Sequence, residues 1–323
     1  MPQRRGATPI HDAGALDRAD TYARGVPHDR FERLRARTPV VWLDGRMAGR
    51  PGAWAVLRYA DVHHALMHPE LFSPQGDGIL HGPMIGEIPD GEIPEGAISD
   101  GALSDGALSD GGGPSGEPVP GGVHDAALID MDPPARAMIA RIPRRDSVDF
   151  VGEVARELPE TVRNTLAGGL YALLRHPAQY ALLREERSDE RLVDSAVEEM
   201  LRWWTPVLQV WRTVRRGTVV GGVPLLAGER VTLWLVSANY DGDVFPEPEQ
   251  FVPERFLKGG PSHLCFGFGY RACLGARLAR VHLRALLAAL LERPGTPQLA
   301  GEPVTLRSSA RHGFEYLPVR WTP

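Results

Sequence analysis

The cysteines are the residues whose surroundings most clearly predict chemistry, and the sequence holds two, Cys265 and Cys273. Cys273 lies in the run HLCFGFGYRACLGARLAR, residues 263–280, and an apolar-periodic stretch that predicts a helix follows it. The positive end of a helix dipole stabilises a negatively charged sulfur, which is the state in which cysteine binds metals. Gly267 and Gly275 would let the backbone pass close to a flat cofactor, where a Cβ would collide. This pattern predicts that Cys273 is a metal ligand.

A single cysteine near a helix is more often a small buried apolar side chain. We assign that structural role to Cys265, which has no comparable glycine frame. Two cysteines eight positions apart provide no disulfide framework, so the sequence favours a reducing, cytoplasmic environment.

The segment resembles the haem-ligand signature FxxGxxxCxG of the cytochrome P450 family, with Phe266, Gly269, Cys273 and Gly275 at the signature positions. The resemblance implies haem b, iron protoporphyrin IX, as the cofactor and Cys273 as the axial ligand of its iron. It also implies that Phe266, Gly267 and Gly275 lie against the cofactor.

Three further residues upstream of Cys273 resemble a structural network of the same family. Glu199 and Arg202 in EEMLRWW match the ExxR pair, and their spacing of three places both side chains on one helix face. Arg255 in FVPERF matches the arginine that completes a buried network with that pair. The resemblance implies that these residues brace the segment around Cys273 and do not contact substrate.

Other matched positions imply contacts with the cofactor and with oxygen. Arg212 and Arg271 match family positions for haem-propionate partners, which suits the planar guanidinium group, and His263 is a further candidate. Glu160 and Thr161 match the acid and alcohol that deliver protons to dioxygen in the family, and are the candidate catalytic residues. Leu158 replaces a small residue of that motif, and Pro159 opposes a helix through this point.

The middle of the sequence departs from the family pattern. MDPPARAMIARIPRR begins like a haem-contact helix, but Arg136 stands where the family has His, Ala140 stands where it has Arg, and Pro143 ends the helix. No counterpart exists for the helices that roof the substrate pocket. We therefore predict a mainly α fold with a small antiparallel β component, a cytochrome P450 fold that lacks part of its distal helices.

Hydrophobic periodicity predicts the remaining elements. Residues 28–42 predict a helix entering a strand, 54–72 a strand and a short helix, and 148–186 helices interrupted at Pro159. Residues 190–204 and 276–292 also predict helices, and 210–236 predict short strands with glycine turns. We expect residues 1–323 to form a single domain.

Residues 73–122 interrupt this pattern with a low-complexity, acidic, glycine-rich segment that contains no Lys or Arg. Five successive pentapeptides, GEIPD, GEIPE, GAISD, GALSD and GALSD, carry too little apolar surface to fold as a solenoid. We interpret the segment as a flexible loop. A calcium site is the alternative, although single carboxylates lack the dense spacing that calcium needs.

Composition limits the partners. A formal net charge of -5 argues against nucleic-acid binding, and no run of 18 apolar residues predicts a membrane span. The resemblance implies an apolar small-molecule substrate and a ferredoxin-like electron donor, and we expect a monomer. For Arg277, Arg280 and Arg284 a solvated helix face is the favoured interpretation, and a docking site for an acidic partner is the alternative.

The resemblance implies a haem-dependent monooxygenase of the actinobacterial branch that hydroxylates sterols and other lipids, impaired by internal deletions. One alternative is a non-catalytic haem-binding or sensing protein, favoured by the loss of roof helices. Another is a decayed gene product that folds poorly.

Overall fold

A computed structural model describes residues 13–44, 52–74, 130–143 and 146–322. Its helices are α1 His28–Arg37, α2 Tyr59–Met67, α3 Asp132–Ala140, α4 Glu160–Arg175, α5 Pro177–Glu185, α6 Glu190–Trp204, α7 Leu235–Ala238 and α8 Ala276–Glu292. Its strands are β1 Val40–Leu43, β2 Ala53–Val56, β3 Phe72–Ser73, β4 Val148–Asp149, β5 Val210–Val214, β6 Thr218–Val220, β7 Val223–Leu225, β8 Arg230–Leu233, β9 Thr296–Leu299, β10 Val304–Thr305, β11 Phe314–Tyr316 and β12 Pro318–Thr322.

Helices α3, α4, α5, α6 and α8 enclose the larger apolar core. Two glycines of α4 allow α4 and α6 to approach closely. A Cβ on Gly168 would overlap the ring of Trp204, and a Cβ on Gly169 would overlap the side chain of Met200. The backbone of α4 therefore rests directly on the side chains of α6, which fixes the position of the α4 helix in the fold.

The largest sheet has the strand order β1-β2-β8-β5-β3. Its neighbouring strands are antiparallel except for the parallel pair β2 and β8. The hairpin of β6 and β7 turns at Gly221 and Gly222, which have φ values of 53° and 79°. A second antiparallel sheet joins β4, β12 and β9. The fold is the predicted one, mainly helical with small and largely antiparallel sheets.

Residues 263–275, which we call the cysteine loop, lie between two apolar clusters. Cys265 and Phe266 pack in the helical core. Leu264 and Phe268 pack in the cluster formed by α2 and the large sheet. The loop is thus held from both sides by buried neighbours.

The predicted helix over the start of residues 148–186 is wrong before Pro159. Val148 pairs with Val319 of β12, and the Asp149 carboxylate accepts the N–H groups of Val151 and Gly152. A single π-helical turn, Phe150–Val154, follows. Sheet pairing and this side-chain cap satisfy the backbone locally, so no α-helix forms until Glu160.

The remaining two sequence predictions concern membrane-spanning helices and the acidic, glycine-rich segment. No helix within the described residues is long and apolar enough to cross a membrane. The acidic, glycine-rich segment at 73–122 lies, from residue 75 onwards, outside the described residues.

Candidate functional site

The cysteine loop presents Cys273 on the surface, immediately before α8. The Cys273 N–H donates to the carbonyl of Phe266 at 2.8 Å, which closes the loop. Gly267 and Gly269 have φ values of 71° and 68°, a region that side-chain-bearing residues rarely adopt. A Cβ on Gly269 would also come within 3.1 Å of the Met67 sulfur. The backbone conformation therefore favours glycine at both positions, and the close approach of α2 requires it at position 269 as well.

The sulfur of Cys273 is accessible, whereas that of Cys265 is not. Cys273 is exposed, and Leu274 beside it is 93% exposed, an unusual position for a leucine. The buried Cys265 thiol donates to the carbonyl of Leu201 at 3.0 Å and accepts from Asn239 at 3.2 Å. Of the two sulfurs, only the one at position 273 could contact a cofactor.

A buried ion-pair network lies behind the loop. Arg202 Nε and Nη2 donate to the two Glu199 oxygens at 2.7 and 2.8 Å, and both side chains are 0% exposed. Arg255 Nε lies 3.1 Å from the same carboxylate. The Arg202 guanidinium also donates to backbone carbonyls of the segment 239–250. The predicted meeting of these three residues is confirmed.

Two arginines, Arg212 of β5 and Arg271 of the cysteine loop, carry like charges that repel each other. Arg212 of β5 is half-buried, and its pKa is lowered by burial and by the charge of Arg271. Arg212 Nη1 donates to the Trp211 carbonyl at 2.7 Å, and within the described residues neither arginine forms an ion pair with a carboxylate. Such a pair is stabilised by an added anion. The two propionates of iron protoporphyrin IX are suitable anions, so these residues fit that cofactor.

His263 is buried at the start of the cysteine loop. Its Nε2 is 3.1 Å from Glu198 Oε2, and its Nδ1 accepts the Cys265 N–H at 3.3 Å. Burial alone would lower the pKa of His263, but Cys265 and Glu198 reverse this and raise it to about 9. The imidazole thus contacts a protein carboxylate, and its role beside the cofactor stays a prediction.

Glu160 and Thr161 occupy the first turn of α4. Pro159 is the N-cap, so the proline begins the helix rather than interrupting it. The Glu160 carboxylate forms an ion pair with Arg311, and both side chains are 31% exposed. Thr161 is exposed. The acid and alcohol are therefore adjacent and solvent-accessible, and Leu158 precedes them as a buried residue.

Arg136, which stands where the family has His, and Arg141, which follows Ala140, form ion pairs with acidic residues. Arg136 of α3 contacts Glu292 of α8 at 2.9 Å, and Arg141 contacts Glu157 at 2.9 Å. Both pairs are exposed. In the described structure these two guanidinium groups thus link α3 to α8 and the end of α3 to Glu157.

The three arginines spaced along α8 are also largely paired. Arg280 binds Glu198, and Arg284 contacts Glu190 and Asp194 at 3.1 Å. These pairs support the interpretation of a solvated helix face. Sequence reasoning missed Glu198, which binds both His263 and Arg280. The only signal was the doubled acid in EEMLRWW, because its two partners lie far along the chain.

Known proteins resemble the chain in sequence and in fold. The sequence model of the cytochrome P450 family matches residues 144–293. The steroid C26-monooxygenase of Mycolicibacterium smegmatis is 43% identical over 166 residues, which are 51% of this chain and 40% of that protein. The cytochrome P450 monooxygenase PikC of Streptomyces venezuelae is 40% identical over 168 residues, or 50% of this chain and 38% of that protein.

The fold comparison extends further along the chain. Cytochrome P450-153 from Novosphingobium aromaticivorans superimposes with a TM-score of 0.73 at 22% identity, covering 95% of this chain and 99% of that one. In sequence, the match spans only about two fifths of the length of the curated relatives. Over residues 144–293 the chain is similar in sequence to the cytochrome P450 family, and its fold over 95% of its length is that of a cytochrome P450.

Proposed function

We propose that this chain is a haem-dependent monooxygenase that hydroxylates an apolar, lipid-like small molecule with dioxygen and with electrons from a ferredoxin-like partner. The observation that carries the proposal is the accessible Cys273 sulfur, presented on a glycine-shaped loop at the start of α8. The names of relatives that act on steroids and on linalool support an apolar substrate. We further propose that the chain is a cytoplasmic monomer.

The proposal assigns a role to each residue around the cysteine loop. Cys273 would hold the iron through its sulfur, and Arg212 and Arg271 would bind the two propionates. Phe266, Gly267 and Gly275 would contact the cofactor, and His263 would be a further polar partner. When bound, haem supplies the redox chemistry that activates dioxygen.

Proton delivery is assigned to the first turn of α4. The Glu160 carboxylate can take a proton from solvent because it is partly exposed, and the neighbouring Thr161 hydroxyl can donate one onward. The ion pair with Arg311 orients the carboxylate. In this chain the acid must exchange its contact with Arg311 for a proton, so we expect slow turnover.

The test is the absorbance of the reduced protein with carbon monoxide. We expect a thiolate-shifted Soret band that is lost in Cys273→Ala and kept in Cys265→Ala, the matched control. A protein that stays colourless with added haemin, or a band that survives in Cys273→Ala, would contradict the proposal.

A second candidate function is a haem-binding or sensing protein without turnover. The Glu160–Arg311 ion pair favours it, because the acid that would deliver protons is already engaged. Turnover of a sterol or terpenoid with ferredoxin and reductase, lost in Thr161→Ala, would exclude this candidate. Cooperative unfolding of the haem-loaded protein would in turn count against a decayed, poorly folding product.

A further inference from the structure

Glu198, His263 and Arg280 meet where α6, the cysteine loop and α8 come together. Arg280 donates two hydrogen bonds to the Glu198 carboxylate, at 2.6 and 2.8 Å. His263 Nε2 lies 3.1 Å from the same carboxylate. The side chains of His263, Glu198 and Arg280 are 2%, 25% and 41% exposed, so solvent screens the contact with His263 less than the pair with Arg280. One carboxylate thus ties three separate parts of the chain.

The cluster continues to Cys273 through Phe266. The Arg280 guanidinium lies over the Phe266 ring at 4.7 Å, and the ring centroids of His263 and Phe266 are 5.9 Å apart. The Phe266 carbonyl accepts the Cys273 N–H at 2.8 Å. Two partners of Glu198 therefore contact the residue whose backbone holds the cysteine in place.

The neighbouring acid, Glu199, serves a different part of the fold. Its carboxylate binds Arg202, Arg255 and the Val252 N–H, all outside the cysteine loop. Consecutive residues of an α-helix point about 100° apart, which follows from about 3.6 residues per turn. The two adjacent acids of α6 therefore have different partners, and Glu198 is the one that contacts the cysteine loop.

We propose that Glu198 is a positioning residue that fixes the Cys273 sulfur through His263 and Arg280. This inference rests on the proposed role of Cys273 as the iron ligand. Glu198 contacts neither substrate nor cofactor in this proposal. Its carboxylate determines where the loop lies relative to the first turns of α8.

The first test measures how well the loop shields Cys265. The full chain is treated with iodoacetamide, and the label on Cys265 is followed by peptide mass spectrometry. Cys265 is buried between His263 and Phe266, so its labelling reports loosening of the loop whether or not haem occupies Cys273. We expect Glu198→Gln to increase the labelling rate on the order of tenfold or more, because the carboxylate loses its charge-assisted hydrogen bonds from Arg280 and its ion-pair contact with His263.

The control is Glu190→Gln, which removes an acid of the same helix. Glu190 pairs with Arg284 and its side chain is 81% exposed, so we expect labelling at the wild-type rate. Should Glu198→Gln fail to fold, Arg280→Gln removes the same carboxylate contact from the half-exposed side. Wild-type labelling in both Glu198→Gln and Arg280→Gln would overturn the proposal.

The second test examines the haem-loaded protein. We expect a smaller fraction of the carbon monoxide complex to show the thiolate-shifted band in Glu198→Gln than in Glu190→Gln. Faster labelling of Cys265 with an unchanged band would show that Glu198 holds the loop without setting the sulfur, and would overturn the inference. Absence of the band in the wild-type protein would instead refute the proposed role of Cys273, while Cys265 labelling would still decide whether Glu198 holds the loop.

Discussion

The two sides of the candidate site differ in how far their ion pairs are buried. The cysteine side comprises the cysteine loop, α6, α8 and the segment 239–257, and its Glu199–Arg202 pair is 0% exposed. The α4 side comprises the first turn of α4 and residues 309–312, and its Glu160–Arg311 pair is 31% exposed on both members. The same kind of ion pair is thus a structural brace on one side and a surface contact on the other.

The difference follows from what each ion pair would leave behind if it were broken. Loss of one partner on the cysteine side strands a charge that water cannot reach, whereas the α4 pair is already half-solvated. We therefore expect substitutions of the ion pair on the cysteine side to cost more stability than those of the pair on the α4 side.

Arg202→Ala should have the largest effect on stability. It leaves the buried Glu199 carboxylate with Arg255 as its remaining charged partner and removes a donor from three backbone carbonyls, so we expect the free energy of unfolding to fall by about 3 kcal/mol. Urea denaturation followed by circular dichroism measures this loss. The matched control is Arg136→Ala, which breaks the exposed pair with Glu292 and should cost less than about 1 kcal/mol. Equal losses in the two variants would remove the distinction between a brace and a surface pair.

Two buried histidines, His28 packed on the cysteine side and His312 of the α4 side, should make stability fall in acid. Burial lowers the pKa of His28, which stacks on Tyr240, to about 3, and nearby positive charges add to this. Burial lowers the pKa of His312, which stacks on Trp204, to about 4, against the opposing bond to the Trp204 carbonyl. Both are therefore neutral in the fold at pH values where the unfolded chain, with an imidazole pKa of 6.5, takes up protons.

The sign of the effect follows directly from this proton uptake. The contribution of each histidine to the free energy of unfolding is fully present above pH 6.5. It falls by about 1.4 kcal/mol per pH unit below that, or by about 2 kcal/mol for each histidine at pH 5. The loss ends near pH 4 for His312 and near pH 3 for His28. Urea denaturation between pH 7 and pH 4 should give a shallower slope in His312→Asn and in His28→Asn than in the wild-type chain. A wild-type slope in either variant would show that its imidazole titrates alike in both states.

Sequence reasoning recovered the cysteine side better than the α4 side, and the reason is physical. Glu199 and Arg202 are three residues apart, so helix geometry alone brings them together, and the bounds of α8 follow from its apolar period. Glu160 and Arg311 are separated by 151 positions, and no local pattern predicts that contact. The same holds for Glu198, whose partners His263 and Arg280 become neighbours only when α6, the cysteine loop and α8 have packed.

Pro159 shows how one residue can be interpreted in two ways from sequence. A proline inside an apolar-periodic run predicts a broken helix, but a proline at the N-terminal end of the run predicts that a helix begins there. The choice depended on whether residues 148–158 continue the helix. They do not, because β4 pairs with β12, which lies at the far end of the chain.

The smallest expected effect comes from the Glu160–Arg311 pair, and a double-mutant cycle isolates it. Glu160→Gln, Arg311→Gln and the double variant should give a coupling energy of about 0.2–1 kcal/mol in urea denaturation, because both side chains remain in contact with water. The coupling should shrink further at high salt, which screens exposed charges. A coupling of several kcal/mol that salt leaves unchanged would mean that the first turn of α4 is fastened as firmly as the cysteine side. In that case the carboxylate of Glu160 could not leave Arg311 to take up a proton, and the non-catalytic candidate would gain the advantage.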